Sequence, residues 1–487
     1  MKVESDLNRH IYEYFETRIL SGYYRYGDSL PSIYKISAGF HVAISTVRAA
    51  LSILERQGYI CVDARKAAKV IYQIPESSYR QRAAEYFVPR ADGIAELTQA
   101  GKLLLMPCWE AGLEEWKKED WSVFQETLLH SYPDEVIAPC LVLYLVGLSS
   151  LHNRLLVNLF WEIIHYIRFP FLARNNDITL PVREDGHSQH DIAVQLSKKL
   201  ENTYKNSVQQ LQKFINESRT QYSLQQAQPI PFRWRVYRHK PQMRYSLASH
   251  IIRGIMYGEY PLDSNLPSLS QLAKLHNTSV NTVRRTLNLL DKLGVVELHQ
   301  GRKAVIRMKA VPFDVNDHEI SEGLRQYLDA LQIMELTVQP VILHILNHVS
   351  SSKQESLRET FGEILEQGKS DACFEVIFAF IEENCPLEMI RESYSILLDM
   401  LTWGFPLTLY RLSGCDLPSQ YLDFMIRAEK HLSENDFMGF SFDWKELLTK
   451  ERLQARAFIA EKGGMAFHRE DIPMINTEAD NRQQTGI

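Results

Sequence analysis

Leu30-Pro31-Ser32 and Thr46-Val47-Arg48 return 236 residues later as Leu266-Pro267-Ser268 and Thr282-Val283-Arg284. Gly22/Gly258, Tyr24/Tyr260, Leu51/Leu287, Leu54/Leu290 and Gly58/Gly294 keep the same offset, without a gap from the first glycine to the last. An ungapped match of that span marks a duplicated small domain. Whatever the chain folds into must therefore contain one unit twice.

The local pattern gives the unit's shape. Ile11, Phe15 and Ile19 recur at helical spacing, and Leu247, Ile251 and Ile255 repeat them. Gly22 and Gly258 suit the end of that helix, because glycine takes positive φ freely. Pro31 and Pro267 fit the first turn of a second helix, where a missing N–H costs nothing. Its apolar positions are Ile33 and Ile36, or Leu269 and Leu272. A third helix turns Val47, Leu51 and Leu54 inward, or Val283, Leu287 and Leu290, and ends at Gly58 or Gly294. Two β-rich pieces follow in each copy, residues 59–62 and 70–72, then 295–298 and 304–306, with basic tips between them. Three helices and a hairpin in this order predict a winged helix-turn-helix.

A helix of this kind enters the DNA major groove with its first side chains at base edges and phosphates. The candidate contacts are Ser45, Thr46 and Arg48 in the first copy, and Asn281, Thr282, Arg284 and Arg285 in the second. The hairpin tips add Arg65 and Lys66, and Arg302 and Lys303. Ser32 and Ser268 open the second helix, where an N–H and a hydroxyl can hold a phosphate. Set against this, an Arg on a small helical domain is often only a solvated surface residue. Preservation of the Thr-Val-Arg step in both copies lowers that alternative.

These residues resemble the DNA-binding domain of GntR-type bacterial transcriptional regulators. The likeness runs over residues 5–73 and 244–308 through Gly22-x-Tyr24, Gly27-Asp28, Leu30-Pro31-Ser32, Thr46-Val47-Arg48 and Gly58, and through Gly258-Glu259-Tyr260, Ser279-Val280 and Thr282 to Arg285. Two positions depart from it. The acidic-Arg pair expected after Leu-Pro-Ser is Ile33-Tyr34 or Leu269-Ser270, and the Arg expected early in the third helix is Ile44 or Val280. The resemblance implies double-stranded DNA as a partner, a small-molecule effector and a homodimer.

Charge supports the assignment. The net charge of −6 is unevenly divided: residues 1–73 hold ten Lys/Arg against seven Asp/Glu, and residues 244–309 hold ten against four. Basic modules on acidic bodies fit a regulator better than a nucleic-acid coat protein. The second copy is the more basic, and its tip keeps Gly301, so it is the better candidate for DNA contact. No apolar run of membrane-spanning length occurs, and the start lacks an apolar signal core. Cys61, Cys108, Cys140, Cys373, Cys385 and Cys415 show no CxxC spacing. Reduced thiols in a cytoplasm are the expectation.

The remaining sequence reads as helical, so the predicted fold is mainly α: two winged helix-turn-helix domains alternating with two all-helical domains. The expected segments are 1–73, a linker over 73–81, a helical domain over 82–224, a basic aromatic linker over 225–243, the second head over 244–309, a helical domain over 315–462 and a mobile tail over 463–487. Phe169-Pro170 and Phe405-Pro406 also recur at 236, which extends the duplication to the whole half. In linker 225–243, the basic aromatic run Phe232 to Lys240 could touch phosphate, although a solvated connector pinned by its aromatics is the commoner case.

The helical domains resemble FadR-type effector and dimerisation domains through length, helix content and the Asn153-x-Leu155-Leu156 and Asn384-x-Pro386-Leu387 steps. The metal ligands such domains carry would fall at Asp371 and Glu375, or at Cys140, Tyr144 and His190, and neither set is complete. His344 and His348 stand at i, i+4 without a third ligand in sight, so no metal and no cofactor is expected. Two other readings compete: a degenerate winged-helix module that binds protein, supported by the lost arginines, and an enzyme fused to a DNA-binding domain. The second would need a large α/β body with a Schiff-base lysine, and no Gly-rich phosphate loop or nucleophile motif is present. Two unlike reading heads on one chain would favour an asymmetric site with half-sites about one helical turn apart.

Overall fold

The computed structural model describes residues 3–20, 23–40, 42–63, 67–73, 75–116, 147–167, 189–236, 243–256, 258–411 and 418–463. The chain divides into two compact units, one formed by residues 1–232 and one by residues 233–468. Each begins with a small head and continues into a helical body.

In the first unit α1 (Val3–Leu20), α2 (Ile33–Phe40) and α3 (Ile44–Arg56) precede an antiparallel pair, β1 (Ile60–Cys61) and β2 (Lys69–Val70). The body that follows contains α4 (Glu76–Phe87), α5 (Ala91–Glu114), α6 (Arg154–Tyr166) and α7 (Gln189–Gln221) among the described residues. In the second unit α8 (Met243–Met256), α9 (Leu269–Leu275) and α10 (Val280–Lys292) precede β3 (Val296–Glu297) and β4 (Val305–Ile306). Its body runs through α11 (His318–His348), α12 (Ser351–Glu366), α13 (Cys373–Asn384), α14 (Glu388–Leu401), α15 (Gly404–Arg411), α16 (Leu422–Ser433) and α17 (Phe437–Glu461). The fold is thus mainly α with two small winged sheets.

The 236-residue offset continues past the last glycine that carries it in sequence. Ile60 pairs with Val70 and Val296 with Ile306, and a third stretch joins each sheet through the bridges Ser29–Lys69 and Asn265–Val305. Every one of these positions matches its counterpart at the same spacing. The core matches too: Ile11, Phe15, Ile19, Leu30, Ile36, Val47, Leu51, Leu54, Ile60 and Val70 are buried, and so are their ten counterparts from Leu247 to Ile306. Each such side chain contributes about 1.5–3 kcal/mol relative to exposure. Gly294 needs its missing side chain: φ is +73°, and a Cβ there would lie 2.5 Å from the Lys309 carbonyl.

Three expectations change. Pro267 does not enter the second helix, because Ser268 is the N-cap and the proline sits one residue before it. Ser32 takes the same place ahead of α2, accepting the Lys35 N–H at 3.3 Å. Residues 73–81 are not all linker, since α4 already begins at Glu76. The two Asn steps are not equivalent: buried Asn153 caps α6 by accepting the Leu156 N–H at 2.8 Å, whereas Asn384 closes α13 and donates to the Phe380 carbonyl. Leu387 stands at the cap of α14 instead. Phe169-Pro170, the tail beyond Gly463 and residues 237–242 lie outside the described residues.

Each head is seated on its own body. In the first unit Phe40 stacks on Trp161 at 6.1 Å, and His165 lies 3.3 Å from Glu13. In the second unit Arg253 reaches Asp399 at 3.0 Å and Glu382 at 3.7 Å, Lys292 reaches Asp317 at 2.7 Å, and Arg244 pairs with Glu319. Tyr245 packs against Trp403 at 5.6 Å. The second body is built around Trp444, ringed by Phe361, Phe374, Phe424 and Phe440, with Arg411 holding the buried Glu451 at 3.0 Å. The basic aromatic stretch splits by chemistry: Phe232 and Trp234 are buried, while Arg233 is taken up by Glu392 at 2.9 Å and Glu388 at 3.3 Å.

Candidate nucleic-acid interface

The third helix of each head is fixed by its apolar stripe. In α10 Val283, Thr286, Leu287 and Leu290 face inward, which leaves the opposite side to solvent. That outer side carries Asn281, Arg284, Arg285 and Asn288, all exposed. Their i, i+3, i+4, i+7 spacing puts them on one face. In α3 the same four positions are Ser45, Arg48, Ala49 and Ser52, exposed except for the half-buried Ala49.

The helix starts differ. Ser279 caps α10: its Oγ accepts the Thr282 N–H at 3.0 Å and lies 2.8 Å from the Thr282 hydroxyl. Ala43 occupies the matching place before α3 and makes no side-chain cap. A free N-terminal N–H that no side chain satisfies falls to solvent or to a ligand. The second helices are capped in both heads. Ser268 forms a capping box, donating its N–H to Gln271 Oε1 at 2.9 Å and accepting the Gln271 N–H at 3.3 Å. The serines expected to hold phosphate thus have a first role inside the protein.

Thr46 departs from its expected position. It is 3% exposed and joins the buried stripe with Val47 and Ala50, so it does not reach the outer face. Thr282 is half-buried and directed to Ser279. The reason is angular: residue 46 precedes Val47 by one position and Ala50 by four, which places it at the edge of the core stripe. Ser32, Ser45 and Arg48 are exposed, and Ser268 is half-buried. Arg302 and Lys303 are exposed at the second hairpin tip, whereas Arg65 and Lys66 lie outside the described residues.

Ion pairing sorts the second head's basic residues. Arg244, Arg253, Lys292 and Arg307 are taken by internal carboxylates. Arg307 bridges Glu297 and Asp263 at the base of the wing, and this holds the Glu297 carboxyl below its usual range. Among the described residues Lys274, Arg284, Arg285, Arg302, Lys303 and Lys309 have no such partner and are exposed. The unengaged cations thus lie on the third helix, on the end of the second helix and around the wing. In the first head Arg48, Arg56 and Lys69 are exposed without an ion pair among the described residues.

Asn288 and Lys274 were not among the sequence candidates. The heptad step from Asn281 was the available signal for Asn288. Lys274 gave none, since it lies outside the recurring Thr-Val-Arg step.

Residues 7–70 and 245–306 each match the family of bacterial regulatory proteins of the gntR family. The chain carries two GntR-type heads in tandem. Over 108 residues, 22% of this chain and 72% of the relative, it is 29% identical to the HTH-type transcriptional regulator NsrR of Halalkalibacterium halodurans. It is 28% identical to the NsrR of Shouchella clausii over 102 residues, which is 21% of this chain and 66% of that one. Among solved structures, Streptococcus agalactiae GntR aligns over 43% of this chain and 99% of its own, at 18% identity and a TM-score of 0.18.

The rings of His344 and His348 lie 4.1 Å apart, His348 Nδ1 is 2.7 Å from the His344 carbonyl, and burial lowers the His344 pKa. Among the described residues no three His, Cys, Asp or Glu side chains gather as a metal would require. Asp371 and Glu375 stand on a 3-10 turn and on α13, while Cys140 and Tyr144 lie outside the described residues. No helix among the described residues is long and apolar enough to cross a membrane.

Proposed function

We propose that this GntR-type chain is a sequence-specific transcriptional regulator whose two heads bind double-stranded DNA. The observation that carries this is the exposed polar face on each third helix, at matching positions, with guanidinium groups that no carboxylate of the described protein engages. An Arg or Asn on such a helix reads guanine or adenine edges in the major groove, and the wing cations add phosphate contacts. The relatives' names as transcriptional regulators support the reading.

The helical bodies are assigned to effector sensing and to pairing with a second copy of the chain. Their support is the direct seating of each head on its body: a ligand that shifts α14 would move Asp399, and with it Arg253 of the second head. The protein works without catalysis in this reading.

Selection of fragments from a genomic DNA library by the full chain, repeated at two salt concentrations, tests the proposal. The expected result is a discrete motif whose affinity falls steeply with salt, by close to one unit of log-log slope per phosphate engaged. Binding of every fragment alike, or of none in any salt, would remove the regulator reading and turn the heads into protein-interaction surfaces.

A further inference from the structure

Resting on that reading of the heads, we infer that sequence discrimination resides in the second head and that Arg285 and Asn288 extend it along α10. The first head acts as a clamp that reads little sequence. Arg285 and Asn288 are exposed on the same helix face as Asn281 and Arg284, and the Arg285 guanidinium has no ion-pair partner among the described residues.

The chemistry of the two faces is unequal. A guanidinium fork bonds guanine O6 and N7 together, and an amide bonds adenine N6 and N7 together, so each distinguishes one base from three. The second head presents two of each. At the matching positions the first head presents Ser45, Arg48, Ala49 and Ser52, of which Arg48 alone has a bidentate group. Serine bonds to several bases without preference, and alanine offers a methyl contact only.

Reach agrees with this. From Asn281 to Asn288 the face rises about 10 Å at 1.5 Å per residue. That spans about three base pairs at 3.4 Å each. The Ser279 cap holds the first turn of that face in place, and the first head has no equivalent at Ala43. The target chemistry is therefore a short stretch rich in guanine and adenine beside a loosely specified flank.

The test enriches a fully random duplex library with the full chain at fixed salt, then measures anisotropy on the winning duplex and on each single-base substitution of it. Arg285→Ala and Asn288→Ala should each flatten the preference at a base pair in the same part of the site, about tenfold, with the fold confirmed by unchanged hydrogen exchange in α10. Ser52→Ala should flatten none. Ala49→Arg with Ser52→Asn should create a new preference in the flank. If both second-head variants keep every base preference of the parent while binding persists, the inference falls and the DNA-binding reading stands. If no duplex is enriched at all, both fall together.

Discussion

The two heads share a backbone and differ in what they attach to it. Their third helices, strand pairs and bridges coincide at one fixed spacing, and their cores bury matching positions. The first head lacks the third-helix cap, presents mostly small side chains and is seated on its body by a ring stack with His165 beside Glu13. The second head is capped, presents two Arg and two Asn, and is seated by the ion pairs of Arg244, Arg253 and Lys292 beside a ring contact. Core positions are held by packing, which tolerates little change of volume. The outer helix face has no such constraint. Duplicated units can therefore keep a fold while their binding faces separate.

The seating of the first head supplies the largest expected effect. Trp161→Ala removes the ring under Phe40 and leaves a cavity at a buried position, which should loosen that head by about 3 kcal/mol. Hydrogen exchange in α1–α3 should accelerate while that in α8–α10 stays unchanged. Equal acceleration in both heads would show that the seats are not independent.

Next in size is the binding contrast itself. Arg284→Ala with Arg285→Ala should weaken DNA binding about a hundredfold, and Arg48→Ala only severalfold, because each bidentate base contact is worth about 1–3 kcal/mol. Anisotropy titrations at one salt concentration measure both. Equal, negligible losses would break the assignment of the third helices to DNA.

A cap exchange gives a smaller effect with opposite signs. Ser279→Ala should cost the second head about 1 kcal/mol, and Ala43→Ser should stabilise the first by a similar amount. Exchange rates at the first amides of α10 and α3 report the change. The same sign in both heads would mean that capping does not account for the difference between the helix starts.

The smallest effect is in pH. Burial, with His250 stacked beside it, lowers the His276 pKa below the usual imidazole value. The folded second head therefore prefers neutral His276. That contribution is complete above the ordinary value near 6.5 and is lost as pH falls toward the lowered one. NMR titration of His276 should give a midpoint below that of the unfolded chain, and the first head, which has Phe40 at the matching position, should show no such acid sensitivity. A raised midpoint would reverse the sign.

The repeat made much of this legible in sequence. Two copies at a constant offset identified three helices and a hairpin, and the Leu, Ile and Val positions assigned to the core are buried except for Ile33 and Leu269, which are half-buried. What could not be read was angular or local. Thr46 sits within a polar-looking Ser-Thr step, yet a helix turns 100° per residue and carries it under the head. Pro31 and Pro267 mark a helix start to within one residue, and the cap hydrogen bonds settle which residue begins it. Arg307 resembled Arg302 in composition, and the carboxylates of Glu297 and Asp263, brought beside it by strand pairing, remove it from the free surface. The Asn153 and Asn384 steps looked alike because three letters cannot distinguish the start of a helix from its end.

The unbroken spacing through wing and bridge makes the two heads interchangeable parts. Residues 29–70 and 265–306 begin and end at matched bridge and strand positions, so one segment can be written over the other without adding or removing a residue. A chain bearing the second segment twice would keep the register of both wings and the ion pairs of the second seat, while a histidine would take the place of Phe40 against Trp161 in the first. On the proposed reading its two third helices would present the same side chains to DNA, and the natural chain's two dissimilar faces would then stand as a choice that the backbone never imposed.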